Sequence, residues 1–574
     1  MAEVQEQIEK AGITGTVKIL ITDRIAREGI DLLRAQLPQA QIDEQLGLKP
    51  EQLKAIIGDY AALIVRSETQ VTADVLAAAK NLKIVGRAGV GVDNIDTEAA
   101  TRLGIMVVNS PTGNIIAAAE HTIAMLMALA RRIPAADTSM KAGKWEKSRF
   151  VGVEVRHKVL GVIGLGKVGM AVARRAQGLE MQIIAFDPFV SPEQARKADV
   201  TMLTMEEVLK QADFVTLHTS LTTGPSGTQG LIGEQELHLM KPGARLINCA
   251  RGGLIDEAAL LRALNENQLA GAALDVFSQE PIRDNALLQQ LVAHDRVIAT
   301  PHLGASTEEA QVGVATDVAE QIIAVLHGGF PRAAVNAPMI LPETLKVLEP
   351  YMVLLQKMGR LFTQLQPGPI NKIELSYSGE IASYDLRPLQ AALIKGMLES
   401  ISDAHVNMIN AQVLAKEWGL EITEQRSTTP TEFANLVTLR VPNTNGYTSS
   451  FAGRPGSGDE HIGVLSGTVM HDEPRIVQVG RYWTEFLPVG YILFCRNLDQ
   501  PGMIGRVGTI LGRASINIRH MDVGPSVRRL RPNTQRNTTD TALMIVSVDD
   551  PIPDPVLQEI TNDELIMGAT VVGL

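Results

Sequence analysis

Cysteine is scarce in this sequence: only Cys249 and Cys495 occur among its 574 residues. Two cysteines cannot build a multi-cysteine metal site or a disulfide framework, so we expect no metal site and a reducing compartment. Aromatic residues are also few, at 4%, which favours cores built from aliphatic side chains.

Long apolar runs and an excess of positive charge are missing as well. No run approaches the roughly 18–20 apolar residues of a membrane span, and the polar N-terminus MAEVQEQIEK has no apolar signal core. The net charge of −11 argues against nucleic acid or a membrane surface as a partner. The balance of 45% hydrophobic and 20% charged residues indicates a globular cytoplasmic protein with about three or four domains.

The first half of the chain alternates short aliphatic runs with helical stretches, a pattern that predicts an α/β fold with parallel sheets buried on both faces. The longest predicted helix spans 117–133 and is expected to connect two lobes. The strand candidates are 17–23, 61–66, 82–89, 158–166, 182–187, 214–219, 244–250, 271–277 and 296–301.

The pattern changes after about residue 333. A strand at 371–378 is followed by two helical stretches and a run of alternating strands, and the last part of the chain predicts the order strand, helix, two strands, helix, strand. Two segments interrupt these units. The segment 443–459 is rich in Gly, Ser and Pro and is expected to be a loop, whereas 526–540 carries four arginines.

One glycine-rich loop has the features of a dinucleotide site. Gly164, Gly166 and Gly169 follow an apolar strand and begin a helix, whose N-terminal N–H groups can hold a pyrophosphate. Such a loop alone could be a structural turn. Asp187 ends the next strand about 20 residues on, where a carboxylate bonds the ribose hydroxyls and repels a 2′-phosphate, so the pattern predicts NAD rather than NADP.

A second glycine-rich loop, at 502–508, does not have these features. Its glycines are spaced G-x-x-G-x-x-G, and Asp499 precedes them, where its charge would oppose a phosphate. No acidic strand end follows at the right distance. We therefore do not expect a second nucleotide site there.

Three polar residues follow strands of the second half of the α/β region. Arg251 can hold a carboxylate bidentately, and His302 can exchange a proton with a hydroxyl near neutral pH. Glu280 can orient the imidazole and stabilise its cation. With a nicotinamide cofactor, these groups predict oxidation of a 2-hydroxy acid. Each residue also has an ordinary structural interpretation: Arg251 as a cap of the sheet edge, Glu280 as a turn carboxylate and His302 as a structural histidine. His121 and His218 are more typical of structural positions.

The segments VIGLGKVG, NCARGGLIDE, ALDVFSQEP and TPHLGAST resemble the signature segments of the D-2-hydroxyacid dehydrogenases. The segments VRSET, VGRAGVGVDNID and YSGEIASYDLRPL are similar to the long phosphoglycerate dehydrogenases of that family, which have an intervening domain and an ACT domain. The resemblance implies catalytic roles for Arg251, Glu280 and His302. The implied cofactor contacts are Gly164, Gly166, Lys167, Val168, Gly169, Asp187, His218, Ala250, Arg251, Asp275 and His302. The implied substrate contacts are Arg66, Ser67, Gly89, Val90, Gly91, Arg251 and His302, and Arg87 and the basic stretch 141–149 are further candidates.

The resemblance also implies the domain organisation. It predicts two Rossmann-like lobes followed by an α+β domain and a βαββαβ ACT domain. The domains are a discontinuous substrate-binding lobe at 17–112 and 302–333, an NAD-binding domain at 113–301, an intervening domain at 334–487 and a regulatory ACT domain at 488–574.

The implied activity is NAD-dependent oxidation of D-3-phosphoglycerate to 3-phosphohydroxypyruvate, the first step of phosphorylated L-serine biosynthesis, in a homotetramer. A reductase of hydroxypyruvate, glyoxylate or 2-oxoglutarate shares the core, but the long extension after residue 333 argues against it. An NAD-sensing regulatory protein on the same scaffold is a further alternative.

The loop that follows Asp499 is expected to bind an amino-acid effector, L-serine, with Asn517 as a second contact. The Asp499 carboxylate can accept hydrogen bonds from the effector's ammonium group, and the N-terminus of the next helix favours its carboxylate. A plain helix cap is the alternative. For the basic segment 526–540, the alternatives are a solvated loop and a contact with an anion or a neighbouring subunit.

Overall fold

The computed structural model describes residues 16–224, 227–338, 342–366, 370–399, 406–442, 463–525 and 541–574. The two segments singled out in the sequence, 443–459 and 526–540, lie outside the described residues. No helix in the described ranges is long and apolar enough to cross a membrane.

The first sheet has five parallel strands in the order β2-β1-β3-β4-β5. The strands are β1 (Lys18–Ile21), β2 (Gln41–Glu44), β3 (Ala62–Val65), β4 (Ile84–Arg87) and β5 (Met106–Asn109). The helices of this lobe are Arg27–Gln36, Pro50–Ile56, Ala73–Ala78, Thr97–Arg102 and Glu308–Leu326. The last of these helices buries Val314, Val318 and Ile322 against Ile19 and Ile84 of the sheet, so the chain returns to this lobe after crossing the second one.

The second sheet has seven parallel strands in the order β12-β11-β10-β9-β6-β7-β8. The strands are β6 (Val159–Ile163), β7 (Gln182–Phe186), β8 (Thr201–Met202), β9 (Phe214–Leu217), β10 (Arg245–Asn248), β11 (Gly271–Leu274) and β12 (Val297–Ala299). The helices are Ile115–Arg131, Ile133–Lys141, Lys167–Gly178, Pro192–Arg196, Met205–Gln211, Glu234–Leu239, Glu257–Asn265 and Ala286–Ala293. The order of the strands reverses between β6 and β9, and open sheets of this type bind ligands in the crevice at such a reversal.

The third unit is a mixed six-stranded sheet in the order β14-β13-β15-β16-β17-β18, covered by helices. Its strands are β13 (Lys372–Gly379), β14 (Glu421–Ser427), β15 (Asn435–Arg440), β16 (Val464–Met470), β17 (Glu473–Val479) and β18 (Tyr482–Phe486). Its helices are Pro342–Leu365, Arg387–Glu399 and Ala411–Glu417. The side chains of β13 alternate between buried and half-buried positions, as expected for a sheet with one face on a core.

The last unit is a four-stranded antiparallel sheet in the order β20-β21-β19-β22. Its elements run β19 (Tyr491–Leu498), helix Met503–Arg513, β20 (Ile518–Pro525), β21 (Thr541–Val548), helix Asp554–Thr561 and β22 (Ile566–Gly573). This is the strand, helix, two strands, helix, strand order that the sequence predicts.

The predicted fold class is therefore confirmed, with differences in individual elements. All nine strand candidates of the first two sheets are strands, but β2, β5 and β8 were not predicted. The predicted connecting helix runs from Ile115 to Arg131. It is not the longest helix, because Pro342–Leu365 has 24 residues and was not predicted.

Candidate active site

His302 and Glu280 form the central pair of the site. His302 lies three residues beyond β12, and its Nδ1 is 2.7 Å from Oε2 of Glu280. The other oxygen of Glu280 accepts a hydrogen bond of 3.0 Å from the backbone N–H of Phe277. Because Glu280 holds Nδ1 of the imidazole, Nε2 is the nitrogen left to exchange a proton with a ligand. The structure thus brings together the two residues that the sequence paired.

Asp275 fixes the turn that carries His302 through hydrogen bonds. This carboxylate is fully buried and accepts hydrogen bonds from Oγ1 of Thr300 (2.6 Å) and from the backbone N–H groups of Leu303 (2.7 Å) and Gly304 (2.8 Å). His121 Nε2 lies 3.2 Å from Asp275 Oδ1. Burial raises the pKa of Asp275, but the hydrogen bonds outweigh burial and hold the pKa below its usual value.

This arrangement matters because the backbone of His302 is itself unusual. Its φ is +57°, in the left-handed region that residues other than glycine seldom adopt, and its N–H donates to the carbonyl oxygen of Asp275 at 2.9 Å. A residue in such a conformation persists only where its surroundings fix it. Asp275 supplies contacts on both sides of His302, so it positions the imidazole through the backbone.

Arg251 reaches across from the end of β10 to the first lobe. Its Nη1 donates to the carbonyl oxygen of Ala250 at 2.7 Å, and its Nε lies 3.2 Å from Oδ2 of Asp93. Asn248 fixes the local backbone by donating to the carbonyl oxygen of Arg251 at 2.9 Å. A Cβ added to Gly91 would collide with Nη2 of Arg251, so the end of the guanidinium would have to shift if this residue carried a side chain.

The loop that contains Arg66 and Ser67 is fixed by a buried acid. Oδ2 of Asp23 accepts hydrogen bonds from the backbone N–H groups of Arg66 (2.6 Å) and Thr69 (3.1 Å). Nδ2 of Asn94 donates to the carbonyl oxygen of Arg66 at 2.7 Å and ties this loop to the next one. Ser67 is exposed at the tip of the loop.

The loop at 89–91 lies beside a buried guanidinium. Ser110 donates its N–H to the carbonyl oxygen of Gly89 at 2.9 Å, and a Cβ on Gly89 would collide with Nη1 of Arg87. Burial, together with repulsion from Arg251 and Arg66, lowers the pKa of Arg87 to about 10. Three guanidinium groups therefore converge where the two lobes face each other, and their mutual repulsion favours an anionic ligand.

The predicted cofactor loop follows β6. Gly164 has a φ of +92°, and a Cβ there would lie 2.7 Å from the carbonyl oxygen of His218. Gly169 packs against the backbone of Gly164 without room for a side chain. By contrast, Gly166 faces open space at the start of the helix Lys167–Gly178, which carries Lys167 and Val168 in its first turn. The loop thus presents helix N–H groups to an open crevice, as a pyrophosphate site requires.

Asp187 and His218 flank this loop. Asp187 is half-buried just beyond β7, and its two oxygens accept hydrogen bonds of 2.8 Å from the N–H groups of Leu165 and Phe189. The carboxylate is therefore oriented by the glycine loop itself. His218 Nε2 lies 3.0 Å from Oγ1 of Thr216, and burial lowers the pKa of its imidazole to about 4, so it is neutral at physiological pH.

The two predicted effector residues lie in the last unit. Asp499 follows the end of β19, and Gly502 (φ +93°) caps the helix Met503–Arg513. Asn517 lies before β20, and its amide donates a hydrogen bond of 2.6 Å to Asp549. Asp549 also pairs with Arg519, so the Asn517 amide belongs to a small polar cluster in this structure.

Sequence reasoning did not assign roles to Asp23, Asp93, Asn94 or Thr300. The first three had a local signal: Asp23 is the last residue of the first predicted strand, and Asp93 and Asn94 stand within VGRAGVGVDNID. Among the described residues, no group of three or more His, Cys, Asp or Glu side chains could hold a metal ion.

Three family models match the chain. They describe the D-isomer specific 2-hydroxyacid dehydrogenase NAD binding domain over residues 123–304, the D-3-phosphoglycerate dehydrogenase intervening domain over 347–480 and the ACT domain over 491–564. Together with the fold and the site, these matches define the class as NAD-binding D-2-hydroxyacid dehydrogenases with an ACT domain.

Relatives that match over nearly the full chain identify the family within this class. The chain is 43% identical to a D-3-phosphoglycerate dehydrogenase from Synechocystis over 97% of this chain and 95% of that protein. It is 40% identical to one from Archaeoglobus fulgidus over 97% and 100%. The chain belongs to the D-3-phosphoglycerate dehydrogenase family. Among solved structures, a D-lactate dehydrogenase from Aquifex aeolicus complexed with NAD and lactic acid matches with a TM-score of 0.50 and 26% identity, over 56% of this chain and 99% of that one.

Proposed function

We propose that this protein oxidises D-3-phosphoglycerate to 3-phosphohydroxypyruvate with NAD. The observation that carries the proposal is the convergence of Arg66, Arg87 and Arg251 at the face where His302 and Glu280 form a 2.7 Å pair. The substrate has a carboxylate, a secondary hydroxyl and a phosphate. The cleft offers a guanidinium for a carboxylate, an imidazole for a proton and further cations for a phosphate. The names of the full-length relatives point to the same substrate.

Each group of the cleft has a distinct role in this proposal. Arg251 holds the C1 carboxylate and so orients C2. Nε2 of His302 removes the proton of the C2 hydroxyl, and Glu280, bonded to Nδ1, stabilises the imidazolium that results. Arg66, Ser67 and the N–H groups of Gly89 to Gly91, with Arg87 behind them, receive the phosphate.

The residues of the second lobe fit NAD. The open space at Gly166, the closed packing at Gly164 and Gly169 and the carboxylate of Asp187 together form a pyrophosphate and ribose site. Lys167, Val168, His218, Ala250 and Asp275 are the remaining expected contacts. When bound, NAD supplies the acceptor for the two electrons of the oxidation.

The test is a steady-state comparison of D-3-phosphoglycerate with D-glycerate and D-lactate as substrates, and of hydroxypyruvate, glyoxylate and 2-oxoglutarate in the reverse direction. We expect the highest kcat/KM for the phosphorylated substrate. A higher kcat/KM for an unphosphorylated 2-keto acid would instead identify a reductase of that acid.

We also propose that the ACT domain binds L-serine at Asp499 and Asn517 and regulates the enzyme. The support is the ACT match at 491–564, together with an acid just before an exposed, glycine-capped helix start. We further propose that the chain divides into a substrate-binding lobe at 17–112 and 302–333, an NAD-binding domain at 113–301, an intervening domain at 334–487 and an ACT domain at 488–574. Titration of the full-length enzyme with L-serine tests the effector site at Asp499 and Asn517, with D-serine as the matched control. Absence of binding and of any change in activity at millimolar L-serine would leave the loop as a helix cap.

The oligomeric state and the cellular location of the protein can also be proposed. We propose a homotetramer, the assembly that the family resemblance implies. Ile133, Met140, Trp145 and Val151 expose 53%, 53%, 82% and 77% of their surface within one short stretch of the second lobe, which offers an apolar surface for self-association. Light scattering coupled to gel filtration would measure the mass of the assembly. We propose a cytoplasmic location because the two cysteines are unpaired, as in a reducing compartment.

A further inference from the structure

Two nitrogens of the Arg251 guanidinium already have partners within the protein. Its Nη1 already donates to the carbonyl oxygen of Ala250 at 2.7 Å. The edge formed by Nε and Nη2 faces the loop of the first lobe, where Nε lies 3.2 Å from Asp93 Oδ2 and Nη2 lies against Gly91. A carboxylate that binds this arginine side-on must therefore use the edge that Asp93 holds.

Asp93 presents the same chemical group as the ligand that Arg251 is proposed to bind. Both are carboxylates, and they cannot share one edge of one guanidinium at full strength. Asp93 belongs to the first lobe and Arg251 to the second, so the ion pair crosses the cleft in which the substrate is expected to bind.

We propose that Asp93 is a specificity-determining residue. It lies at the edge of Arg251 formed by Nε and Nη2, and it is displaced only by a ligand that also engages the other cations of the cleft. D-3-phosphoglycerate can do so because its phosphate reaches toward Arg66 and Arg87. A simple carboxylate such as acetate or D-lactate offers Arg251 nothing that Asp93 does not already supply. This inference rests on the proposed function, since it assigns Arg251 to the substrate carboxylate.

The ion pair is weak enough to be displaced. The Asp93 side chain is 66% exposed and that of Arg251 is 26% exposed, so water screens the interaction. Oδ2 of Asp93 would also lie 2.8 Å from a Cβ on Gly91, so the carboxylate sits close over the loop rather than far out in solvent. A screened pair of this kind discriminates between ligands by a modest factor and does not block the site.

The decisive variant is Asp93→Asn, which keeps the size of the side chain and removes its charge. Glu98→Gln is the matched control, because Glu98 is an acid on the same lobe that is 77% exposed and pairs with Arg102 instead. Asp93→Glu keeps the charge and separates loss of charge from disturbance of the loop. All three changes are at exposed positions, so the variants are expected to fold.

Acetate is the probe for the Arg251 edge alone. Its binding is read from the acetate-dependent rise in unfolding temperature, a measurement that needs no turnover. We expect Asp93→Asn to tighten acetate binding by about two- to fivefold, the factor that a partly exposed ion pair is worth. The ratio of kcat/KM for D-3-phosphoglycerate to that for D-glycerate should fall by a similar factor. Glu98→Gln and Asp93→Glu should leave both quantities near the wild-type values.

The failure of this inference differs from the failure of the proposed function. Unchanged or weaker acetate binding in Asp93→Asn would overturn the role of Asp93, whatever the enzyme oxidises. Absence of phosphoglycerate oxidation by the wild-type enzyme would overturn the function, while the acetate measurement would still report on Arg251. An equal effect of Glu98→Gln would show a general effect of net charge and would also overturn the inference.

Discussion

Nδ1 of His302 lies 2.7 Å from Oε2 of Glu280, although the two residues are 22 positions apart in the chain. Glu280 follows β11, and His302 follows β12, the next strand of the same parallel sheet. Neighbouring parallel strands end at the same edge, so residues just beyond them can meet. The pair places one carboxylate against one ring nitrogen and leaves the other nitrogen for proton transfer.

The first prediction concerns His302→Asn. Asparagine tolerates the left-handed backbone of this position (φ +57°), so the turn should survive while the proton acceptor is lost. We expect kcat to fall by about 10²–10⁴, the usual contribution of a general acid or base. Isothermal titration should show NAD binding within about twofold of wild type. His238→Asn, on the helix Glu234–Leu239, is the control, and near wild-type turnover in His302→Asn would exclude this mechanism.

The second prediction concerns Asp187→Asn. The amide oxygen can still accept the hydrogen bond from the N–H of Leu165, so the glycine loop keeps that contact, whereas the hydrogen bond from the N–H of Phe189 is lost together with the charge. Without the charge, a 2′-phosphate is no longer repelled, and the ratio of kcat/KM with NAD to that with NADP should fall by about five- to tenfold. A ratio equal to the wild-type value would mean that another residue selects the cofactor.

Local pattern was sufficient for much of the site. Gly164, Asp187, Glu280 and His302 all lie at strand ends, and the alternation of strands and helices fixes the edge at which strand ends meet. The pairing of Asp93 with Arg251 could not be predicted in this way. These residues come from two different lobes, and their contact depends on how the lobes pack, which no local spacing encodes.

The helix Pro342–Leu365 was not predicted for a different reason. Pro342–Leu365 contains Pro350 in its interior, and a proline within a helical pattern normally predicts the end of a helix. Tertiary packing outweighs this local preference here. Leu348, Leu354, Leu355, Met358, Leu361 and Phe362 are fully buried against the third sheet. Burial of several large apolar side chains, at about 1.5–3 kcal/mol each, exceeds the roughly 3 kcal/mol that an interior proline costs.

The third prediction concerns Gly91→Ala. The added Cβ would collide with Nη2 of Arg251 and would lie 2.8 Å from Oδ2 of Asp93, so the guanidinium must move. We expect kcat/KM for D-3-phosphoglycerate to fall by about 10–100-fold, because a displaced anchor misplaces the substrate relative to His302. Gly178→Ala is the control, since a Cβ there meets nothing within 4 Å. Wild-type kinetics in Gly91→Ala would show that the contact between this loop and Arg251 does not set the position of the substrate.

The fourth prediction concerns Asp275→Asn and separates two roles for this residue. Asp275 accepts hydrogen bonds from Thr300, Leu303 and Gly304, and an amide cannot accept all of them because one of its two arms is a donor. If Asp275 positions the turn of His302, the variant should lose about 1–3 kcal/mol of unfolding free energy, and kcat should fall with little change in the KM for NAD. If Asp275 only contacts the cofactor, the KM for NAD should rise and stability should not change.

The same variant gives a pH dependence whose sign follows from the lowered pKa of Asp275. A carboxylate whose pKa is lower in the folded state contributes stability above its ordinary pKa of 3.8 and loses it as the pH falls through the folded value. The difference in unfolding free energy between wild type and Asp275→Asn should therefore be constant from about pH 6 to 8 and should shrink below about pH 4. Urea unfolding across this range measures it. A difference that grows in acid would show that the buried carboxylate is not stabilised in its charged form.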